Sequence, residues 1–126
     1  MDRGERTGYE MTFFRGTVVY ATDPFKSGDA GRPWVIVNTP DMPFHGEQYV
    51  VLTLSTKTWY DDRLPIADGD LPEGGLPKDS SILPWAIATV DHGDVDRKLG
   101  RVDESVVDEA VWALVGYLGI QSANDR

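Results

Sequence analysis

The sequence predicts a small, mainly β fold, a barrel or strongly curved sheet, carrying one amphipathic helix at its C-terminal end. Three observations lead there. Short apolar runs at residues 14–20, 34–38 and 49–55 are rich in Val, Ile and Tyr and are bounded by Gly, Pro and Asp. That pattern marks strands separated by turns. After Asp103 the period changes: Val106, Val107, Ala110, Val111, Leu114, Val115 and Leu118 recur at three- and four-residue spacing, the stripe of a core-facing helix. A chain of 126 residues holds one hydrophobic core and is too short for two.

Taken in order, residues 1–12 read as a flexible tail, 13–120 as a single domain and 121–126 as a second tail. The first strand is followed by a Gly- and Asp-rich loop expected to be mobile. The second strand, Trp34-Val35-Ile36-Val37-Asn38, is apolar on both faces, as in a strand covered on each side. Thr39-Pro40-Asp41-Met42-Pro43 is a turn, since proline cannot donate into a ladder. Residues 49–55 form a central strand, 63–67 a short one, and 68–77 a loop punctuated by Gly74 and Gly75. Residues 80–89 form another strand, in which Pro84 marks an edge or a bulge. Residues 99–102 close the set. Asp103 is the expected N-cap of the helix, Glu104 favours its dipole and Gly119 stops it.

Composition excludes several classes of function. The 40% hydrophobic content with four Trp belongs to a folded chain. The chain has no cysteine, which removes disulfides, zinc–thiolate sites and a cysteine nucleophile. The two histidines, His45 and His92, lack the His-x-x-x-His spacing of a dedicated metal site, so neither metal nor other cofactor is expected. The N-terminal residues carry no apolar stretch for a signal peptide or membrane span, and a cytoplasmic location is the expectation. Net charge is −9, with 15 Asp among 21 carboxylates and only four Lys. Such a surface opposes nucleic-acid binding at low salt. It fits adaptation to high salt, where the Debye length falls to about 3 Å and only contact pairs matter.

One junction carries chemistry. Arg32 and Pro33 stand where the polar loop Lys26-Ser27-Gly28-Asp29-Ala30-Gly31 becomes a buried strand. A guanidinium there stays charged, and its planar fork matches two oxygens of a carboxylate or phosphate. The alternative is a structural arginine that closes the loop through backbone carbonyls. The strand 49–55 ends in hydroxyls and a cation, Ser55-Thr56-Lys57-Thr58. Lys57 and Arg63 could contact a sugar–phosphate backbone, and Trp59 with Tyr60 could stack an unpaired base; packing and solvation are the plain alternatives. His45 has the pKa range for acid–base work, although a surface histidine explains it equally.

The order of these segments resembles the MazF/PemK family of toxin ribonucleases from type II toxin–antitoxin pairs. The resemblance rests on Phe14-Arg15-Gly16-Thr17-Val18-Val19-Tyr20, Asp23-Pro24, Gly31-Arg32-Pro33-Trp34-Val35-Ile36-Val37-Asn38 and Leu54-Ser55-Thr56-Lys57. It continues through Gly75-Leu76-Pro77-Lys78-Asp79-Ser80, Thr89-Val90-Asp91, Arg97-Lys98-Leu99-Gly100-Arg101 and Leu118-Gly119-Ile120. No one motif is specific; the order and spacing over residues 13–120 carry the likeness.

The resemblance implies an SH3-like barrel of the MazF/PemK/CcdB type and a metal-independent endoribonuclease acting on single-stranded RNA. The ribose 2′-hydroxyl would attack the adjacent phosphate to give a cyclic phosphate. It implies a homodimer neutralised by a cognate antitoxin polypeptide. Ser55 matches the family's catalytic threonine, with Thr56 the fallback one residue on. Asp29 falls near the acidic or glutamine position of the family's loop; a solvated turn aspartate is the competing reading.

Two departures stand out. Thr17 replaces the aspartate usual after the opening Arg-Gly. Ala86-Ile87-Ala88 replaces a glutamine–isoleucine–arginine run, so two polar side chains that could touch RNA are absent. A non-enzymatic member of the fold that binds a protein target, such as a topoisomerase, or nucleic acid is the alternative.

Overall fold

The computed structural model describes residues 12–24 and 30–120, so the expectations for both tails and for Asp29 lie outside the described residues. Seven antiparallel strands form one curled sheet: β1 (Thr17–Thr22), β2 (Gly31–Ile36), β3 (Gln48–Ser55), β4 (Leu64–Pro65), β5 (Glu73–Gly74), β6 (Ser81–Asp91) and β7 (Val95–Arg101). Their order across the sheet is β4-β6-β3-β2-β1-β7-β5. Among the described residues one α-helix, α1 (Glu104–Tyr117), follows. The mainly β fold with a C-terminal helix expected from the sequence is therefore the observed one. Among the described residues no helix is long and apolar enough to cross a membrane.

Alternation along the strands divides the core between the two faces of the sheet, because successive side chains point to opposite sides. Val18, Val35, Leu52, Leu54 and Ile82 face α1, whose Val106, Val107, Ala110 and Leu114 complete that cluster. Val19, Ala21, Trp34, Ile36, Tyr49, Val51 and Val90 form the second cluster. Asp103 caps α1 as expected: its carboxylate accepts from the Ser105 N–H at 3.1 Å. Leu118, expected on the buried stripe, is exposed instead, because α1 has ended at Tyr117.

Strand boundaries differ from expectation where pairing overrides local pattern. Arg32 and Pro33, expected at a loop-to-strand junction, lie inside β2, since Thr22, Ala21 and Tyr20 of β1 pair with Gly31, Arg32 and Pro33. Proline is tolerated because the β2–β3 ladder begins only at Trp34, opposite Thr53. β7 starts at Val95 rather than Leu99, its charged Asp96, Arg97 and Lys98 having hidden the alternation. Pro84 does mark a bulge: Leu52 pairs with Ile87 but Thr53 pairs with Leu83, so residues 84–86 loop out of the ladder.

Candidate active site

β2 and β3 bring Arg32 beside the hydroxyl run. With Trp34 opposite Thr53, the antiparallel register carries Arg32 to the level of Ser55. The guanidinium is held from two sides. Its Nη1 donates to a carboxylate oxygen of Asp23 at 3.3 Å, and its Nη2 donates to the Leu54 carbonyl at 3.2 Å. It also lies 5.8 Å from the Trp34 ring centroid, a cation–π distance. Asp23 is 1% exposed and the Arg32 side chain 27%, so the cation stands at the border between core and solvent. Nε is buried without a hydrogen-bond partner among the described residues. Asp23 is the member of this site that sequence reasoning left without a role. The β1–β2 register accounts for it: Thr22 pairs with Gly31 and the Asp23 N–H donates to the Ala30 carbonyl at 2.9 Å, so Asp23 lies diagonally across the hairpin from Arg32.

Ser55, at the end of β3, is 5% exposed and pairs with Ser81 of β6. Its Oγ accepts from the Lys57 N–H at 3.1 Å, which turns the chain out of the strand. With a lone pair so engaged, the hydroxyl proton remains available for donation. Thr56 is exposed at the rim. The Lys57 Nζ sits 4.8 Å from the centroid of the Trp59 ring, so one face of Trp59 is covered by a cation. Arg32, Ser55, Thr56, Lys57 and Trp59 thus gather at one end of β3.

Two residues are placed differently from the sequence reading. Arg63 holds the loop before β4, its Nη1 donating to the Thr58 carbonyl at 2.8 Å and the Tyr60 carbonyl at 3.0 Å; that guanidinium nitrogen is committed to backbone rather than free for phosphate. His45 lies near the start of β3, not its end. Its Nδ1 is 3.0 Å from the Asn38 Nδ2, and its ring packs against Phe14 and Tyr49. Tyr49 and Ser55 are separated along the strand by roughly 20 Å, which removes His45 from proton transfer at Arg32. The Pro43-Phe44-His45 stretch gave no local sign of this, because burial behind Phe14 is a long-range contact.

That far end holds a second polar group within apolar surroundings. The Tyr49 hydroxyl accepts from the Phe13 N–H at 3.2 Å and lies 2.7 Å from the His92 Nδ1. Burial pushes the Tyr49 phenol up and the His92 imidazole down. His92 is half-buried against Phe13 and Tyr49. Below its ordinary value of 6.5, the unfolded chain takes up a proton that the folded His92 resists. Stability is therefore full above that pH and falls as pH drops below it. The melting temperature should decline as pH falls below about 6.5, and less so in His92→Gln; equal slopes in the two proteins would contradict this placement.

Comparison with known proteins agrees with this architecture. Residues 14–116 match the family of PemK-like, MazF-like toxins of type II toxin–antitoxin systems. No curated relative matches the chain. Among solved structures, a mycobacterial endoribonuclease in complex with its cognate antitoxin is similar at a TM-score of 0.66 and 21% identity, over 89% of this chain and 98% of that one. MazF from Deinococcus radiodurans is similar at a TM-score of 0.69 and 13% identity, over 88% of this chain and 100% of that one. The toxin MazF-mt6 of Mycobacterium tuberculosis is similar at a TM-score of 0.63 and 18% identity, over 84% and 99% of the two chains. At these identities the solved structures speak to the fold, and the family match covers most of the chain. The chain belongs to the PemK-like, MazF-like toxins of type II toxin–antitoxin systems.

Proposed function

We propose that this toxin is an endoribonuclease that cleaves single-stranded RNA without a metal, through attack of a ribose 2′-hydroxyl on its own neighbouring phosphate. The observation that carries the reading is Arg32, a permanently charged fork fixed by Asp23 and the Leu54 carbonyl beside Ser55. The attacking oxygen forms a bond to phosphorus as the 5′-oxygen leaves. The products are a 2′,3′-cyclic phosphate and a 5′-hydroxyl. The nucleophile is already part of the substrate, so the route needs no metal-bound water. What it needs is stabilisation of the extra charge on the phosphorane, which prepositioned donors supply without reorganisation.

Arg32 is the principal donor in this reading. Ser55 adds a hydroxyl from the strand end, or Thr56 does from the rim, and Lys57 holds the flanking backbone. Ser55→Ala removes both the hydroxyl and the acceptor for the Lys57 N–H, so it should lower cleavage and cost about 0.5–1.5 kcal/mol of stability. Thr56→Ala should leave the melting temperature unchanged. Cleavage rates and melting curves of the two variants identify which hydroxyl serves. Full activity in both would remove hydroxyl donation from the scheme.

The family assignment and the neighbours solved with antitoxins support an antitoxin polypeptide as the natural partner. A homodimer is part of the same proposal: Trp112, Leu118 and Ile120 are exposed, and a second copy could cover such apolar surface. One observation favours a non-enzymatic member that inhibits a protein target. Ala86 and Ala88 provide no polar contact where the family carries glutamine and arginine. RNA cleavage with analysis of the product ends decides between the two.

A further inference from the structure

We propose that a groove next to the candidate active site binds the guanidinium or ammonium side chain of an extended, basic polypeptide segment. This stands apart from the nuclease reading. The groove, about 400 Å³, is lined by Trp59, Tyr60, Asp61, Asp62, Trp85 and Tyr117. Its four rings run in series, with centroids 5.9 Å apart for Trp59–Tyr60, 5.6 Å for Tyr60–Trp85 and 6.4 Å for Trp85–Tyr117. The last two pairs are steeply inclined, at 60° and 77°, so these rings do not stack face to face, and all four border one open groove.

Ring faces carry the negative side of the aromatic quadrupole and attract a cation within about 6 Å. Asp61 and Asp62 add two formal negative charges to the same lining. Neither has an ion pair or side-chain hydrogen bond among the described residues. The Lys57 ammonium over Trp59 shows that a cation already settles on one of these rings.

The groove is built into the fold. The bulge at residues 84–86 turns Trp85 outward, and the Thr53 Oγ1 fixes it by donating to the Ala86 carbonyl at 2.9 Å. Arg63 pins the other wall through the Thr58 and Tyr60 carbonyls. A nucleobase would fit the rings, but its phosphates would meet Asp61 and Asp62. A polypeptide meets no such opposition and has a place for its backbone. β4 pairs only with Ser81 and Ile82, so the outer edge of β6 from Leu83 onward has no strand partner among the described residues. An extended segment laid along that edge would present alternate side chains toward Trp85.

The test follows the indole N–H resonances of Trp59 and Trp85 by NMR, assigned with Trp59→Phe and Trp85→Phe. The probe is a blocked Ala-Val-Arg-Val-Ala pentapeptide, compared with its citrulline counterpart, which keeps the shape and loses the charge. Saturable shifts with the arginine peptide are expected. Binding should weaken by about tenfold or more with citrulline and in an Asp61→Asn/Asp62→Asn variant, whose exposed changes leave the core intact. Equal binding of the two peptides, or no shift with either, would overturn the proposal. So would displacement of the peptide by a single-stranded oligonucleotide that shifts the same indoles. Loss of a dimer in sedimentation of Trp85→Ala would overturn it too, by giving the groove to a second copy of the chain.

Discussion

Cleavage of RNA by an Arg32→Lys variant is expected to fall by about 10²–10³-fold, while its melting temperature stays close to that of the wild type. Lysine keeps the positive charge that faces the buried carboxylate of Asp23, which removal of the side chain would leave without this partner. What lysine lacks is the planar fork. Arg32 reaches Asp23 and the Leu54 carbonyl from separate nitrogens of one rigid group, and in the proposed mechanism the second N–H of a terminal nitrogen would donate to the phosphate, whereas a single ammonium on a flexible stem must choose among these partners. Arg32→Ala is the less informative variant, because it confounds lost catalysis with a carboxylate left buried. Rate measurements at saturating RNA, beside thermal melting, check the expectation. Wild-type cleavage by Arg32→Lys would show that charge alone suffices and that the fork plays no part.

The largest effect on stability is expected at Trp34. The side chain is 1% exposed, fills the second cluster among Val19, Ala21, Ile36 and Val51, and its Nε1–H donates to the Ala21 carbonyl at 3.4 Å. Trp34→Ala should cost about 3–5 kcal/mol through lost transfer energy and a residual cavity. The melting temperature should fall by roughly 10–20 °C. Trp34→Phe, which keeps most of the volume, should lose far less. Trp34→Phe also puts a smaller ring in place of the indole beside the Arg32 guanidinium, so the residual activity of folded Trp34→Phe reports how much the indole steadies the arginine. A melting temperature within a few degrees of wild type for Trp34→Ala would contradict the packing described.

What the sequence revealed and what it concealed have distinct physical causes. β3 was legible nearly residue for residue, because both its neighbours are strands and its apolar run is uninterrupted. α1 was legible because its stripe and its Asp103 cap are local. β2 starts three residues earlier than the sequence pattern indicates, since Gly31 to Pro33 become strand only by pairing with β1, and no local preference of Arg-Pro announces that. The bulge in β6 was signalled by Pro84, but its consequence, Trp85 turned outward toward Tyr60 and Tyr117, depends on three separate segments. In the candidate site, Arg32 and Ser55 were found as chemistry at strand ends, and the register sets them level. Asp23 was missed as a partner because its role exists only across the hairpin. His45 was weighed by its ring alone, and its position behind Phe14 and Asn38 is a long-range outcome.

Internal attack with Arg32 at the scissile phosphate, as proposed for this toxin, fixes both the chemistry of the product ends and their dependence on the arginine. Both are read from cleavage of single-stranded RNA in molar KCl with EDTA, wild type beside Arg32→Lys, with the ends of the products identified. Cuts by the wild type that leave cyclic phosphate and 5′-hydroxyl ends are expected, with a large loss in the variant. Intact RNA from a folded wild-type protein, or products ending in 5′-phosphate, would contradict the proposal.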